Sequence, residues 1–221
     1  MVGSGLLKEP MRIADIICEM VAAVKIPVTL KIRAGWDEGW INAGEITKLA
    51  EAAGAQVISV HGRTRAQAYR GPANWDYIRQ CKEVAQTIKV IGNGDVFDAD
   101  SAERMFRETG CDGVLLSRGT MGNPYLIEDI YRHFEGLEAV ERTDLDRCKS
   151  LLEHFHYCLE YQSEYKAIVA MRRLGIWYFK HLTHMKDFRR SVAKVASYED
   201  IQKVFKDFFD FDMAAYRKLG A

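Results

Sequence analysis

No stretch of this 221-residue sequence is apolar over the roughly 18 residues that a membrane span requires. Its first residues, Met1-Val2-Gly3-Ser4-Gly5, carry no basic segment leading into an apolar one, which speaks against a signal peptide. Net charge is also missing: 31 basic residues balance 31 acidic ones, so no overall field attracts nucleic acid and any such contact needs a local patch. The five cysteines (Cys18, Cys81, Cys111, Cys148, Cys158) form no C-x-x-C pair, and their odd, scattered set reads as reduced cytosolic thiols. There is no P-loop, no G-x-G-x-x-G, no H-E-x-x-H and no G-x-S-x-G. His181 and His184 lie one helical turn apart, but no cysteine or carboxylate pattern completes a metal site around them. A metal is therefore not expected.

What is present is ample core material, 48% apolar, arranged in a repeating theme over the first 135 residues. Apolar, largely β-branched runs begin at Val28, Val57, Ile88 and Gly113, at intervals of 29, 31 and 25 residues. Amphipathic helical stretches lie between them, and two end at glycines placed to cap a helix, Glu45 to Ala53 before Gly54 and Ala99 to Thr109 before Gly110. A further helix, about Met11 to Val24, starts behind Pro10. Such alternation predicts a parallel sheet covered by helices. Four units are half of what a (β/α)8 barrel needs. They could make a small open sheet, or two copies could pair; half of a barrel is the preferred reading.

After Gly136 no β-like run appears. A short polar linker near Glu138–Thr143 leads into helical patterns at about Asp144–Tyr161, Tyr165–His181, Lys186–Val195 and Tyr198–Leu219. The expected organisation is α/β, the C-terminal half of a TIM barrel over residues 1–137, followed by a small all-α bundle over 138–221.

Polar residues gather where the apolar runs end, the edge at which parallel α/β folds build their sites. Lys31 sits near the end of an apolar strand, so its ammonium either reaches solvent or meets an electron-rich ring atom or carbonyl. The loop His61-Gly62-Arg63-Thr64-Arg65 offers an imidazole and two guanidinium groups, fit to bind an anion or to serve as an ordinary polar loop. Asn93-Gly94-Asp95 and Ser117-Arg118-Gly119 end consecutive strands. Two glycine-containing tips, the second with an arginine, point to a phosphate-bearing ligand. Between Tyr165 and Arg190 seven basic residues face the single acid Asp187, with Tyr165, Trp177, Tyr178 and Phe179 interleaved. That segment fits contact with an RNA backbone, or a solvated face with its aromatics buried, Trp177 and Phe179 first among them.

In order along the chain, several motifs resemble the tRNA-dihydrouridine synthase family. They are Gly5-Leu6-Leu7-Lys8-Glu9-Pro10, the stretch Pro27 through Lys31-Ile32-Arg33-Ala34-Gly35-Trp36, His61-Gly62-Arg63-Thr64-Arg65 with Gln67, Tyr69, Gly71-Pro72 and Trp75, Ile91 to Asp95, and Gly110 through Arg118-Gly119 to Pro124. A looser match continues through Met171-Arg172-Arg173 and Trp177-Tyr178 to Phe188-Arg189, and the likeness is nearest the bacterial B-type branch. The resemblance implies an FMN barrel that uses NADPH to reduce the C5–C6 double bond of uridine in tRNA, in the cytoplasm.

Carried over by position, it puts Lys31 at the pyrimidine edge of the flavin, with His61 also lining the ring. Asn93, Gly94 and Asp95 would hold the ribityl-phosphate region, and Ser117, Arg118 and Gly119 the phosphate. Arg63, Arg65 and Arg70 would contact RNA, as would Arg172, Arg173 and Arg189 of a helical tRNA-binding domain. The family's N-G-C-P segment, with its proton-donating cysteine, has no counterpart in these residues. No catalytic residue is therefore assigned, and Cys18 is not a substitute for it. Ser117 stands where glycine is common, and Leu174 where histidine is common. The expectation is an N-terminally truncated synthase, inactive alone, with self-association through its open half barrel. A non-catalytic RNA-binding remnant and a small-molecule FMN reductase are the alternatives.

Overall fold

A computed structural model describes residues 3–182, 185–213 and 215. Two compact units result, Met1–Gly119 and Thr120–Ala221.

In the first unit a 3-10 helix, Gly3–Lys8, leads into helix α1 (Pro10–Ala23), which has proline in its first turn. Proline suits that place because its fixed φ is helical and its missing N–H would be unpaired there anyway. Then strands and helices alternate: β1 (Thr29–Arg33), α2 (Ala43–Ala52), β2 (Val57–His61), α3 (Asp76–Val84), β3 (Lys89–Asn93), α4 (Ala99–Thr109) and β4 (Gly113–Leu115). All four strands pair in parallel in the order β1-β2-β3-β4. Helices α1 to α4 also neighbour one another in sequence order. A strictly sequential order is single winding, the arrangement of a barrel arc; a doubly wound sheet reverses its order at a switch point. The chain therefore forms part of a (β/α)8 barrel.

The alternation of the strands places every second residue against the helices. Ile58, Val60, Val90, Ile46, Ile78 and Met105 are fully buried there. Gly92 takes its place in that layer because a Cβ would lie 2.6 Å from the Met105 sulfur. Asp98 caps α4 reciprocally with Ser101, and Gly110, at φ 64°, ends it as its position in the sequence implies. At the sheet edge, β1 and α1 border an apolar groove of about 410 Å³, lined by Leu6, Ile16, Ile17, Met20 and Leu30 among others.

The second unit consists of α5 (Leu126–Phe134), α6 (Asp144–Tyr161), α7 (Glu164–Tyr178), α8 (Lys186–Val192) and α9 (Tyr198–Phe209). Its core is aromatic: Phe155, Phe179, Phe188 and Phe205 are fully buried, with Leu151, Leu152 and Met171. Phe179 is core as the sequence suggests, whereas Trp177 is only partly buried against it. α5 groups with this bundle, in the unit that begins at Thr120. The ties within the bundle explain it: the Tyr125 hydroxyl donates to the Asp146 carbonyl at 2.9 Å, and Arg142 pairs with Glu128 at 2.5 Å. α7 stops at Tyr178, earlier than the expected His181, and the last residues of the helix expected through Leu219 lie outside the described residues. So does His184 of the histidine pair.

Candidate functional site

Parallel register builds the site one row at a time. Arg33, His61, Asn93 and Leu115 stand opposite one another at the carboxyl edge of the four strands. One step lower on the same face, Lys31 aligns with Ser59 and Ile91. Both rows face away from the helices, because side chains two apart share a face. Above them the loops after β3 and β4 close a cavity of about 250 Å³.

All eight residues expected to hold a cofactor line this one cavity: Lys31, His61, Asn93, Gly94, Asp95, Ser117, Arg118 and Gly119. Asn93 donates to the Leu115 carbonyl at 2.8 Å, joining the ends of β3 and β4. Gly94 has φ 129°, and a Cβ there would fall 2.8 Å from Ala73, so only glycine fits. Trp75 fixes the same turn by donating to the Gly94 carbonyl at 2.9 Å. Asp95 follows at φ 55°, a left-handed conformation that aspartate tolerates better than most residues.

The electrostatics favour an anion. Burial, followed by the charges of Arg33, Lys31 and Arg63, pushes the His61 imidazole down to about 4, so it is neutral at pH 7. Burial, then Arg33, also lowers Lys31 below the ordinary lysine value. Burial alone would raise Asp95, but hydrogen bonds from Arg63 and the Ala73 N–H, with the charges of Arg63 and Arg118, hold it below the usual carboxylate range. Arg118 bonds Asp95 at 2.7 Å while its guanidinium lies 4.6 Å from the Tyr69 ring centre. Against the one carboxylate of Asp95 stand the charges of Lys31, Arg33 and Arg118, with Arg63 behind.

Three charged or aromatic lining residues were not assigned from sequence: Arg33, Tyr69 and Phe97. Arg33 could have been found, because it lies two residues beyond Lys31 and hence on the same strand face. Its guanidinium donates to the carbonyls of Thr64 and Ala68, at 2.8 and 3.0 Å. Tyr69 and Phe97 sit in loops, where nothing in the sequence sets a direction.

The residues expected to meet RNA fall in different settings. Arg65 and Arg70 are exposed, Arg65 lying 4.7 Å from the Trp36 ring centre and Arg70 bonding the Ala66 carbonyl. Arg63 is only 2% exposed and is bound to Asp95 and to the Gly71 carbonyl, each at 2.6 Å. Buried and paired, it presents no charge to a surface ligand. In the helical unit Arg173 is exposed, 4.9 Å from the Trp177 ring centre, and Arg189 is exposed. Arg172 is half-buried and donates to the Val195 carbonyl at 3.0 Å. Leu174 is buried in the bundle core. Among the described residues, no group of three His, Cys, Asp or Glu could hold a metal ion, and no helix is long and apolar enough to cross a membrane.

The profile of the family described as dihydrouridine synthase (Dus) matches residues 1–212. This chain belongs to the dihydrouridine synthase family. A probable tRNA-dihydrouridine synthase 1 of Synechocystis sp. is 38% identical over 199 residues, 90% of this chain and 56% of that protein. The tRNA-dihydrouridine synthase B of Pseudomonas syringae pv. tomato is 35% identical over 210 residues, 94% of this chain and 61% of its own. A probable tRNA-dihydrouridine synthase of Rhizobium leguminosarum bv. phaseoli is 40% identical over 179 residues, covering 80% and 54%. The chain thus spans little more than half the length of these curated relatives. Membership of the family and the resemblance read from ordered motifs agree, including its B-type character.

Proposed function

We propose that this chain carries the phosphate side of an FMN site in a protein that reduces the C5–C6 double bond of uridine in cytoplasmic tRNA at the expense of NADPH. The observation that carries this reading is the cavity at the ends of β3 and β4, where Arg118, Lys31 and Arg33 line one volume beside the Gly94 turn. The residues present fit the group: donors for a phosphate at Arg118, a neutral imidazole and a lysine for ring edges, and a glycine turn permitting close backbone approach. Whole-ligand pockets measure about 300–1,000 Å³, so the cavity suits the phosphate and ribityl end with one ring edge.

When bound, FMN supplies hydride transfer between the nicotinamide and the uracil ring. The chain's own residues orient and stabilise. Lys31 would set a positive charge beside the ring of a bound flavin, and a fixed charge in a partly desolvated site acts more strongly than in water. His61, neutral at working pH, donates or accepts one hydrogen bond without adding charge. Arg65 and Arg70 on the barrel loops, with Arg173 and Arg189 on the helical unit, are surface cations suited to an RNA backbone. The names of the relatives support tRNA as the substrate.

The four-strand arc remains open along β1, where the apolar groove lies. For that reason the isolated 221 residues are expected to self-associate, to hold FMN weakly and to turn over no tRNA. An absorbance spectrum of the purified chain with added FMN tests the reading. A saturable shift of the flavin bands that phosphate competes away supports it. Free-pyrimidine reduction independent of tRNA would replace it with a small-molecule reductase. Tight tRNA binding with no flavin response in any context would replace it with an RNA-binding protein.

A further inference from the structure

We infer that Arg63 is a positioning residue for the phosphate cation Arg118, acting through Asp95; the inference rests on the FMN reading above. The Asp95 carboxylate divides its two oxygens. Oδ2 accepts from the buried Arg63 guanidinium at 2.6 Å and from the Ala73 N–H at 2.7 Å. Oδ1 accepts from Arg118 at 2.7 Å. Arg63 is in turn anchored by donating to the Gly71 carbonyl at 2.6 Å, with a second nitrogen 3.4 Å from His61 Nε2. The chain of contacts runs from the loop after β2 to the loop after β4.

Three observations show why this is a relay and not simply a core ion pair. The first is cost: Arg63 Nε is buried with no hydrogen-bond partner, and buried ion pairs rarely add net stability, so packing alone gives weak reason for a guanidinium here. Asp95, secondly, holds a left-handed backbone conformation next to a glycine turn, a placement that aims its carboxylate between the two arginines. Exposure is graded as well, from 3% for the Arg63 side chain through 21% for Asp95 to 36% for Arg118. A rigid, dry base thus holds a carboxylate, which orients the one guanidinium of the pair that still reaches the cavity. Without it Arg118 would keep only its ring contacts, which set no direction for the guanidinium, and its ordering would weaken binding. With two cations on one anion, the triad keeps a net positive charge for a phosphate.

The test compares FMN with riboflavin, which differs only by the phosphate, on the 221-residue chain and its Arg63→Ala and Asp95→Asn variants. An asparagine side chain fills the same volume as Asp95 and tolerates the same φ, but its amide cannot accept from both arginines. Expected is a preference of the unaltered chain for FMN of about tenfold or more, as one charge-assisted contact implies. Both variants should bring that preference close to unity, the larger loss falling on FMN. Inorganic phosphate is a second probe, read by the Arg118 Nε–H resonance, which should move in the unaltered chain and not in the variants. A merely structural Arg63 would weaken both flavins together. An undiminished preference in either folded variant overturns the relay alone. An unaltered chain that shows no preference, and whose Arg118 signal answers neither FMN nor phosphate, overturns the FMN reading and the relay with it. Should Arg63→Ala fail to fold, Asp95→Asn decides.

Discussion

Arg33 and His61 are register partners at the ends of β1 and β2, and after burial it is the Arg33 charge that does most to hold the imidazole neutral. The folded value, about 4, lies below the ordinary histidine value near 6.5. The unfolded chain therefore binds this proton more readily, and His61 costs stability as pH falls from about 6.5 through 4. Replacing Arg33 with alanine should raise the His61 value towards the ordinary one, seen as a shifted midpoint in the imidazole proton titration. His61→Gln should remove the part of the acid destabilisation that falls in that window. A His61 midpoint unmoved by Arg33→Ala would mean that burial alone sets it.

Glu51, at the carboxyl end of α2, acts at the opposite edge of the sheet and with the same sign, a carboxylate held charged where His61 is an imidazole held neutral. Its carboxylate accepts from the backbone N–H groups of Thr87, Ile88 and Gln86 and from the Thr87 hydroxyl. These bonds, led by that from the Thr87 N–H, together outweigh the opposing effect of burial and pull it down to about 2. Its contribution is complete above the ordinary glutamate value near 4.5 and is lost as pH falls towards 2. Glu51→Ala should cost about 1 kcal/mol at pH 7, as for the loss of a capping acceptor. Thermal unfolding of the two proteins should converge near pH 2. A gap that persists there would assign the effect to packing.

The strand runs, the parallel order and the gathering of the eight cavity-lining candidates at one edge were legible because each follows from periodicity: an apolar run fixes the strand, and its carboxyl tip fixes the edge. β1 and β3 run on to Arg33 and Asn93, beyond the last apolar residue, because the main chain continues to pair where the side chains turn polar. Arg63 shows where such reading stops. Its neighbours Arg65 and Arg70 are exposed, and nothing in the loop's spacing says that the first arginine turns inward. That depends on Asp95, 32 residues away and left-handed, which has no local signature. The placement of α5 was equally hidden, since it rests on contacts with residues that follow it.

Gly122 tests how the helical unit begins. It has φ 72°, and a Cβ would lie 2.3 Å from the Trp177 backbone. Gly122→Ala combines left-handed strain of about 1–2 kcal/mol with an overpacking cost of about 1–3. Gly136, at φ 64°, has nothing within 4 Å of a Cβ and incurs only the first cost. Denaturant unfolding should therefore show Gly122→Ala as clearly the more damaging, by about 2 kcal/mol. Equal losses at the two sites would mean that α7 shifts readily to admit the methyl.

Exposure separates two arginines that share one loop. Arg65 is exposed beside Trp36, whereas Arg63 is buried on Asp95. If RNA phosphates approach the barrel loops, Arg65→Ala should lower the slope of log affinity against log salt by about one, because one released counterion is lost. Arg63→Ala should leave that slope unchanged, since its charge never reaches a phosphate of the RNA. Titration of tRNA against each variant over a salt series measures both slopes, and the Trp36 contact offers a fluorescence signal for the unaltered chain. A slope that drops for Arg63→Ala and not for Arg65→Ala would reverse the assignment, requiring the loop after β2 to turn over when RNA binds.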